Sequence, residues 1–324
     1  MKAFFAPRHS ARMTFAAAMI VAAGAASAAD CPANFPGAKP VRLVVGFGAG
    51  GGTDAIARAF AAGFEKMFKW TVVVENRPGG SGGVAMVWLK GQPADGYTLS
   101  VNATDSVTIT PVQNNVTYSW DDFEYLGTGM LTWTALVALA EKPFGDIAGL
   151  VKFAKENGRA TISVAGISHQ VLIAQLADEY KVNFIAVPGT GAAEALTSAL
   201  GGHVDATTQG TLHIAQIKAG KMKQLASTID RRVPYAPDSG TLAEQGSKSA
   251  PIVSYTILVS AKGLPPAIRR CLAEALDEVI KSADYKLVMD KFENEPRNLG
   301  IEGTAKFVQE SLSFYKEAIP KLKK

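Results

Sequence analysis

The sequence predicts an α/β fold with parallel sheets, organised in two domains. Segments with the pattern of strands alternate with segments with the pattern of helices from residue 41 onwards, which is typical of α/β proteins. Removing a leader of 29 residues from the 324 of the chain leaves 295, a length that favours two domains over one. A glycine-rich loop over residues 46–52 joins the first strand to the first helix, which is typical of an anion site in such folds.

Residues 1–29 have the pattern of a signal peptide. Three basic residues precede an apolar, alanine-rich run over residues 15–26, and Ala26-Ser27-Ala28 matches the A-x-A cleavage signal. The alternative is an uncleaved anchor helix, which the shortness of the apolar run disfavours. We therefore expect cleavage before residue 29 or 30 and a periplasmic location.

The charge balance excludes several classes of partner. Of the 33 Lys and Arg residues, three lie in the leader, which leaves 30 against 29 Asp and Glu. Such a balance provides no basic surface for nucleic acid. An exported chain also meets little nicotinamide cofactor, and we expect no cofactor.

The cysteines and histidines point to a disulfide and to no metal site. Cys31 and Cys271 are the two cysteines of the chain, and in an oxidising compartment a pair suggests one disulfide. The alternative is two unpaired thiols. His169, His203 and His213 show no ligand spacing for a metal.

Taken in order, the segments after the leader define the predicted elements. Runs rich in β-branched residues and bounded by turns predict strands at residues 41–45, 71–74, 97–101, 123–127, 135–140, 161–165, 183–187, 204–208, 224–228 and 254–260. Apolar residues at helical spacing predict helices at 54–68, 84–90, 147–156, 170–180, 192–200, 211–219, 265–282, 284–291 and 304–321. Thr53 or Asp54 is the expected N-cap of the first helix.

The glycine loop allows two interpretations. A strand that delivers glycines to a helix N-terminus makes an anion site, because unshielded N–H groups and the helix dipole attract negative charge. The same residues also match G-x-G-x-x-G, and Glu75 ends the next strand near the place of the ribose-binding acid of a dinucleotide fold. Such a lone fingerprint is a weak signal.

A second strand, glycine-rich loop and helix follow at residues 184–195. Two such sites more than a hundred residues apart suit a receptor whose two lobes each offer a helix N-terminus to one anion. The alternative is an ordinary strand–helix turn that uses glycine for its geometry alone, and composition by itself favours that alternative.

Several stretches together resemble the extracytoplasmic substrate-binding receptors of tripartite tricarboxylate transporters, the Bug receptors. The stretches that carry the resemblance are KPVRLVV at 39–45, GGGTD at 50–54, VENRPG at 74–79, PADGYTL at 93–99, VP at 187–188, VD at 204–205 and TLAEQG at 241–246. Their order runs the length of the chain after the leader.

The resemblance implies a two-lobed periplasmic binding protein of type II, a Venus-flytrap fold in which each lobe is a mostly parallel sheet flanked by helices. Residues 30–130 plus 253–324 would form lobe 1 and residues 131–252 lobe 2, with hinges near residues 130 and 253. The implied function is capture of a small carboxylate-bearing ligand for membrane permease subunits of a tripartite transporter. We expect no enzymatic activity and a monomer.

The resemblance also implies the ligand-binding residues. They come from the loops of both lobes: Phe47, Gly48, Ala49, Gly50, Gly51, Gly52, Thr53, Asp54, Thr104, Asp105, Ser106, Ala165, Gly166, Ser168, Pro188, Gly189, Thr190, Gly191 and Ala192. Trp133, near the hinge, is a candidate for lining the pocket. Asp205 would face the cleft or anchor a neighbouring loop, and Asp54 would bind ligand or cap its helix, with capping favoured.

The chain departs from the family pattern at positions that affect the ligand. The family usually has prolines in place of Gly46 and Ala49, and Tyr-Lys in place of Gly189-Thr190. Asp105 would repel a second carboxylate but could hold an ammonium group or a hydroxyl; as a turn residue it would do neither. The sequence therefore leaves open whether the ligand is a di- or tricarboxylate, an amino acid or an aromatic acid.

Two other functions compete with transport. A ligand sensor for a membrane kinase would use the same binding fold. An exported NAD-type oxidoreductase would need a proton-transfer group, and no Ser/His/Asp or Cys/His arrangement in the sequence supplies one.

Overall fold

The computed structural model describes residues 31–37, 39–189 and 191–323. The predicted signal peptide, residues 1–29, and Thr190 of the predicted second loop lie outside these residues. None of the helices in the described part combines the length and the hydropathy needed to cross a membrane.

The strands and helices of the described residues alternate as the sequence predicts. The strands are β1 (Val41–Val45), β2 (Val72–Asn76), β3 (Thr98–Ala103), β4 (Phe123–Thr132), β5 (Ala135–Leu139), β6 (Ala160–Val164), β7 (Phe184–Pro188), β8 (Ala206–Gln209), β9 (Met222–Ser227), β10 (Ser254–Ala261) and β11 (Glu295–Pro296). The helices are α1 (Gly52–Phe68), α2 (Gly83–Lys90), α3 (Asp105–Thr108), α4 (Thr110–Gln113), α5 (Ile147–Asn157), α6 (Ile167–Tyr180), α7 (Ala192–Leu200), α8 (Ile214–Lys218), α9 (Pro266–Lys281), α10 (Ala283–Lys291) and α11 (Gly300–Ala318). Short 3₁₀ helices cover Gly80–Gly82, Trp120–Asp122 and Ile319–Lys323.

The strands form two separate sheets. The first has the order β11-β4-β10-β3-β1-β2 and the second the order β7-β6-β8-β5-β9. In the first sheet β1 to β4 run in one direction and β10 and β11 run against them. In the second, β6 to β9 share a direction and β5 opposes it. The predicted α/β fold is confirmed, with mixed sheets in which most strands share one direction.

The core of the first sheet is built from one apolar stripe on α1. Ile56, Phe60 and Phe64 recur every four residues and are fully buried against the sheet. Each buried side chain of this size stabilises the fold by about 1.5–3 kcal/mol. Helix α9 packs closely behind α1, because a Cβ on Gly63 would lie 2.5 Å from a methyl carbon of Val279. Gly63 therefore sets the distance between the two helices.

The second sheet is covered on both faces. The apolar stripe of α6, which includes Leu172 and Leu176, packs with α5 on one face. On the other face, Ala199 of α7 packs against Ala135 and Val137 of β5. Both faces of β5 are therefore covered, which fits its continuous apolar sequence ALVAL.

The chain passes between the sheets twice. The first passage follows Thr132 at the end of β4, and the second lies between β9 and β10. They are joined at the second sheet by a hydrogen bond of 2.6 Å between the hydroxyls of Thr134 and Thr228, and by one of 3.3 Å from the Thr134 hydroxyl to the Ile252 carbonyl. The division into residues 30–130 plus 253–324 and residues 131–252 stays a prediction, and β4 extends two residues beyond its first limit.

Contacts also link the two sheets' layers away from these passages. Ile109, Tyr315 and Ile319 share one buried cluster with Val171 of α6. Lys218 of α8 pairs with Glu293 at 2.6 Å, and Arg231 pairs with Glu295 at 3.5 Å. A groove of about 550 Å³ beside the apolar cluster is lined by α6 and the end of α11, and none of the predicted site residues lines it.

Two details of the local predictions are wrong. Helix α1 begins at Gly52 with Gly51 as its N-cap, so neither Thr53 nor Asp54 caps it. The short helices α3 and α4 follow β3, where the sequence predicted no helix. Four-residue helices carry too few positions for a periodic signal.

The predicted disulfide is present. Cys31 and Cys271 are bonded across 240 positions, which ties the start of the described chain to α9. The segment after Cys31 is held further by Phe35, whose ring lies 5.9 Å from that of Trp70 and 5.1 Å from that of Tyr97.

Removing the disulfide should destabilise the protein without changing its fold. We expect the C31S/C271S double variant to lose about 2–5 kcal/mol in the free energy of unfolding, because the bond closes a long loop in the unfolded chain. Urea titration of the variant beside oxidised and reduced wild type measures this loss. The reduced wild type should match the variant, and equal midpoints for all three proteins would contradict the expectation.

Candidate functional site

The candidate site lies at one edge of each sheet. Because β1 and β3 are parallel neighbours, the loops that follow them leave the first sheet at the same edge. The turns after β6, β7 and β8 leave the second sheet together for the same reason. Ligands of open α/β sheets bind at such carboxyl edges.

Three helices begin at these edges with an exposed or partly exposed glycine as N-cap, while the buried Gly82 caps α2. Gly51, Gly166 and Gly191 cap α1, α6 and α7, and a glycine has no side chain to accept a hydrogen bond from the first turn. By contrast, Asp146 and Ser282 cap α5 and α10 with their side chains. The N-cap residues of α1, α6 and α7 thus leave first-turn N–H groups to other acceptors, and the helix dipoles favour a negative one.

The glycines of the first loop serve two different purposes. A Cβ on Gly46 would lie 1.9 Å from Oδ1 of the buried Asn102, so packing requires this glycine. A Cβ on Gly48, Gly50 or Gly52 would meet nothing within 4 Å. These three glycines, together with Ala49, are exposed and leave the backbone open to a ligand.

Asp54 holds the loop rather than facing a ligand. Its carboxylate accepts hydrogen bonds from the Gly50 amide at 2.9 Å, from two Arg58 nitrogens at 2.9 and 3.0 Å, and from Asn76 Nδ2 at 2.9 Å. Burial raises the pKa of Asp54, but these hydrogen bonds outweigh it and lower the pKa below its usual value. With the side chain 2% exposed and its oxygens occupied, the alternative of direct ligand contact by Asp54 does not hold.

Asn76 and Arg58 are the partners that sequence reasoning missed. Asn76 also donates to the Phe47 carbonyl at 3.0 Å, so it anchors the loop at its other end. Phe47 itself packs against the core of the first sheet. The spacing of four between Asp54 and Arg58 on a helix was a signal that could have predicted their pairing.

Glu75 does not stand free for a ribose. It pairs with Arg77 at 2.7 Å and lies 4.0 Å from Arg42. The Arg77 guanidinium in turn lies 4.2 Å from the ring centre of Trp88. The acid that the dinucleotide interpretation needs is therefore engaged in a surface ion-pair network.

Of the three residues predicted after β3, only Asp105 is accessible. Thr104 and Ser106 are buried, which corrects their assignment as ligand contacts. The Thr104 hydroxyl lies 3.1 Å from the Ser254 hydroxyl, and the Ser106 hydroxyl donates to the Ala103 carbonyl at 2.8 Å. Asp105 is half-buried and accepts a hydrogen bond of 2.9 Å from Ser254.

The environment of Asp105 disfavours its negative charge. Burial raises the pKa of this carboxyl, and the hydrogen bond from Ser254 opposes the rise only in part. Among the described residues, Asp105 forms no ion pair with a lysine or an arginine. A negative charge on this carboxyl is therefore only partly solvated, and no cationic side chain of the described residues compensates it.

The second sheet brings its predicted turns together. Ala165, Gly166 and Ser168 are partly exposed, and the Gly189 amide donates to the Val164 carbonyl at 3.1 Å, which joins the turns after β6 and β7. Pro188 is exposed, and Gly191 and Ala192 are partly exposed at the start of α7.

Two buried residues of the second sheet were not in the predicted set. His169, in the first turn of α6, has no partner for Nδ1, and burial lowers its pKa to about 4, so the ring is neutral near pH 7. Gln209, at the end of β8, donates to the Ala192 carbonyl at 3.2 Å and so holds the start of α7. His169 follows Ser168 directly in the chain, whereas only the fold shows that Gln209 adjoins the turns.

Trp133 is part of the junction between the sheets. It is 8% exposed and packs with Leu131 and Tyr255, and its ring centre lies 5.9 Å from that of Tyr235. Its Nε1 is buried and has no hydrogen-bond partner among the described residues. That Trp133 lines the ligand pocket stays a prediction.

Asp205 lies at the wrong end of its sheet for the cleft. Its carboxylate accepts from Lys142 at 2.9 Å and from the amide and hydroxyl of Thr161, each at 2.9 Å. Thr161 is three residues before Val164, so this network lies about 10 Å from the carboxyl edge. Asp205 anchors β6, and its prediction as a ligand residue is wrong.

Comparisons with known proteins agree on one family. A model of the family described as "Tripartite tricarboxylate transporter family receptor" matches residues 56–323. A Cupriavidus necator protein named "UPF0065 protein in gbd 5'region" is 28% identical over 318 residues, which cover 96% of each chain.

Solved structures agree with the sequence comparisons. A TctC solute-binding protein from Polaromonas is 26% identical, with a TM-score of 0.79, 88% of this chain covered and 99% of that one. The periplasmic binding protein BugD is 27% identical, with a TM-score of 0.67 and coverage of 88% and 98%.

The D54N variant tests the role assigned to Asp54. Replacing the carboxylate by an amide removes charge-assisted hydrogen bonds, and we expect a loss of about 1–3 kcal/mol in the free energy of unfolding. The exposed Asp284, which pairs with Lys66, provides the matched control, and D284N should change stability by less than about 0.5 kcal/mol. Equal losses from D54N and D284N would contradict the assignment.

The difference in stability between wild type and D54N is also predicted to depend on pH. The folded-state pKa of Asp54 is below its ordinary value of 3.8, so ionisation stabilises the folded protein above that pH. This contribution should disappear as the pH falls from 3.8 through the lowered pKa. The stability difference between wild type and D54N should therefore shrink in acid, as denaturant titrations at pH 7 and below 3.8 would show.

Proposed function

Since the chain belongs to the tripartite tricarboxylate transporter family of receptors, we propose that it captures a small carboxylate-bearing ligand between its two lobes in the periplasm. It then delivers the ligand to the membrane permease subunits of a tripartite transporter. Receptors of this family bind solutes, and the proposal adds the cleft, the carboxylate and the delivery step. We also keep the expectation that the receptor is a monomer.

The observation that carries this proposal is the set of three glycine-capped helices at the carboxyl edges of the sheets. Gly51 is the N-cap of α1, which follows a strand of the first sheet. Gly166 and Gly191 are the N-caps of α6 and α7, which follow strands of the second sheet. A carboxylate has several lone pairs and is a good acceptor for N–H groups that converge from different helices. Each helix end adds about half a unit of positive charge.

The donors at this site are neutral. The loops at residues 46–54, 104–106, 165–169 and 188–192 contain no lysine and no arginine. Neutral donors bind a carboxylate without the cost of desolvating a buried cation, so release remains easy. A transport receptor has to release its ligand at the membrane, and this chemistry suits that task.

A ligand panel tests the proposal directly. The protein, unfolded and refolded to remove any ligand, is melted with mono-, di- and tricarboxylates, aromatic acids, amino acids and NAD. A ligand at a hundred times its Kd should stabilise the folded state by about 2.7 kcal/mol. A shift with a carboxylate supports the receptor function, and a shift with NAD alone contradicts it.

A proline variant tests whether α1 donates to the ligand. G52P deletes one N–H at the first position of α1, where proline is well tolerated and the extended Gly51, with ψ of 170°, suits a following proline. We expect ligand affinity to fall about tenfold or more while the melting temperature of the ligand-free protein stays unchanged.

The matched control for G52P is A283P, at the first position of α10. Its N-cap Ser282, with ψ of 148°, is equally compatible with a following proline, and α10 lies outside the candidate site. Titration calorimetry with the carboxylate found by the panel compares both variants with wild type. Unchanged affinity in G52P would contradict the role of this N–H group.

A further inference from the structure

Asp105 occupies a central place at the candidate site. It follows β3, whose neighbours are β1 with the glycine loop on one side and β10, which begins at Ser254, on the other. One helical turn later, Ile109 shares a buried cluster with Val171 and Ile167 of α6. The side chain therefore lies at the edge of the first sheet that approaches the start of α6.

Asp105 is held in place but not neutralised. The Ser254 hydroxyl donates to its Oδ1 at 2.9 Å and lies 3.1 Å from the Thr104 hydroxyl, which fixes the carboxyl group. Among the described residues no lysine or arginine pairs with it. His169, in the first turn of α6, is neutral near pH 7, because burial lowers its pKa to about 4.

Asp54, the other acid of the loops, is already engaged. The oxygens of Asp54 are filled by Gly50, Arg58 and Asn76. Among the described residues, Asp105 is therefore a carboxyl group without an ion-pair partner, at the edge of the first sheet that carries the glycine loop before α1 and approaches the start of α6. A ligand with a second carboxylate at this position would meet repulsion, whereas an ammonium group would gain a charge-assisted hydrogen bond.

We propose that Asp105 is a specificity-determining residue, and that the ligand carries one carboxylate for the helix N-termini and one ammonium group for Asp105. This inference rests on the proposed receptor function and names the chemical class of its ligand. Selection arises both from attraction of the ammonium group and from rejection of a second carboxylate.

Matched pairs of probes test the inference by titration calorimetry on ligand-free protein. Each pair keeps one carboxylate and the chain length and exchanges the second group: 3-aminopropionate with succinate, 4-aminobutyrate with glutarate, and alanine with lactate. We expect at least one amine member to bind wild type about tenfold or more tighter than its partner.

The D105N variant shows whether Asp105 causes that preference. The amide keeps an oxygen for the Ser254 hydroxyl and removes only the charge, so the amine member should lose about tenfold or more in affinity, while its partner should lose none. D121N is the matched control, since Asp121 lies in the exposed 3₁₀ helix Trp120–Asp122, and it should change neither affinity. If D105N proves unstable, D105S repeats the comparison.

The outcomes separate this inference from the proposed function. Tighter binding of the dicarboxylates by wild type, weakened in D105N, would mean that a protonated Asp105 donates to the ligand, and it would overturn the inference. If carboxylic acids without an amine raise the melting temperature and those with an amine do not, the inference is overturned while the receptor function stands. No shift from any carboxylate, with or without an amine, would overturn both.

Discussion

Four hydrogen bonds converge on the carboxylate of Asp54, and the shape of the glycine loop depends on them. The exposed glycines of the loop have no side chains to hold their backbone, and ordering each residue costs about 1–2 kcal/mol in conformational entropy. Asp54 fixes Gly50, and Asn76 fixes both Asp54 and the Phe47 carbonyl. The N–H groups at the start of α1 are thereby oriented before a ligand arrives, which lowers the entropic cost of binding.

The glycine caps exchange stability for an open site. A Ser, Thr, Asp or Asn at Gly51, Gly166 or Gly191 would satisfy a helix donor and stabilise the fold by roughly a few tenths of a kcal/mol each. Helix α5, away from the site, has such a cap in Asp146. The apolar stripe of α1 and the covered faces of the second sheet supply stability that these helices do not gain from side-chain caps.

Ser254 connects ligand chemistry to the passages between the sheets. It begins β10, directly after the second passage, and its hydroxyl contacts both Asp105 and Thr104. Under the proposal, a ligand group held by Asp105 would act on the segment about which the lobes would move. The ion pairs Lys218–Glu293 and Arg231–Glu295 lie across the same boundary and hold the lobes in the arrangement described.

The sequence by itself determined the features of this protein that depend on residues close together in the chain. The strand, glycine loop and helix over residues 41–68 follow from β-branched residues, glycines and an apolar period of four. The disulfide followed from two cysteines and an export signal. The tertiary structure alone decided which polar side chains have partners. Asp54 accepts a hydrogen bond from Asn76, and Asp205 accepts one from Lys142. It also decided that Asn102 leaves no room for a side chain at Gly46, and that Thr104, Ser106 and Trp133 are buried. The physical reason is that periodicity reports on neighbours along the chain, whereas these partners come from segments dozens of residues away that meet only when the sheets form.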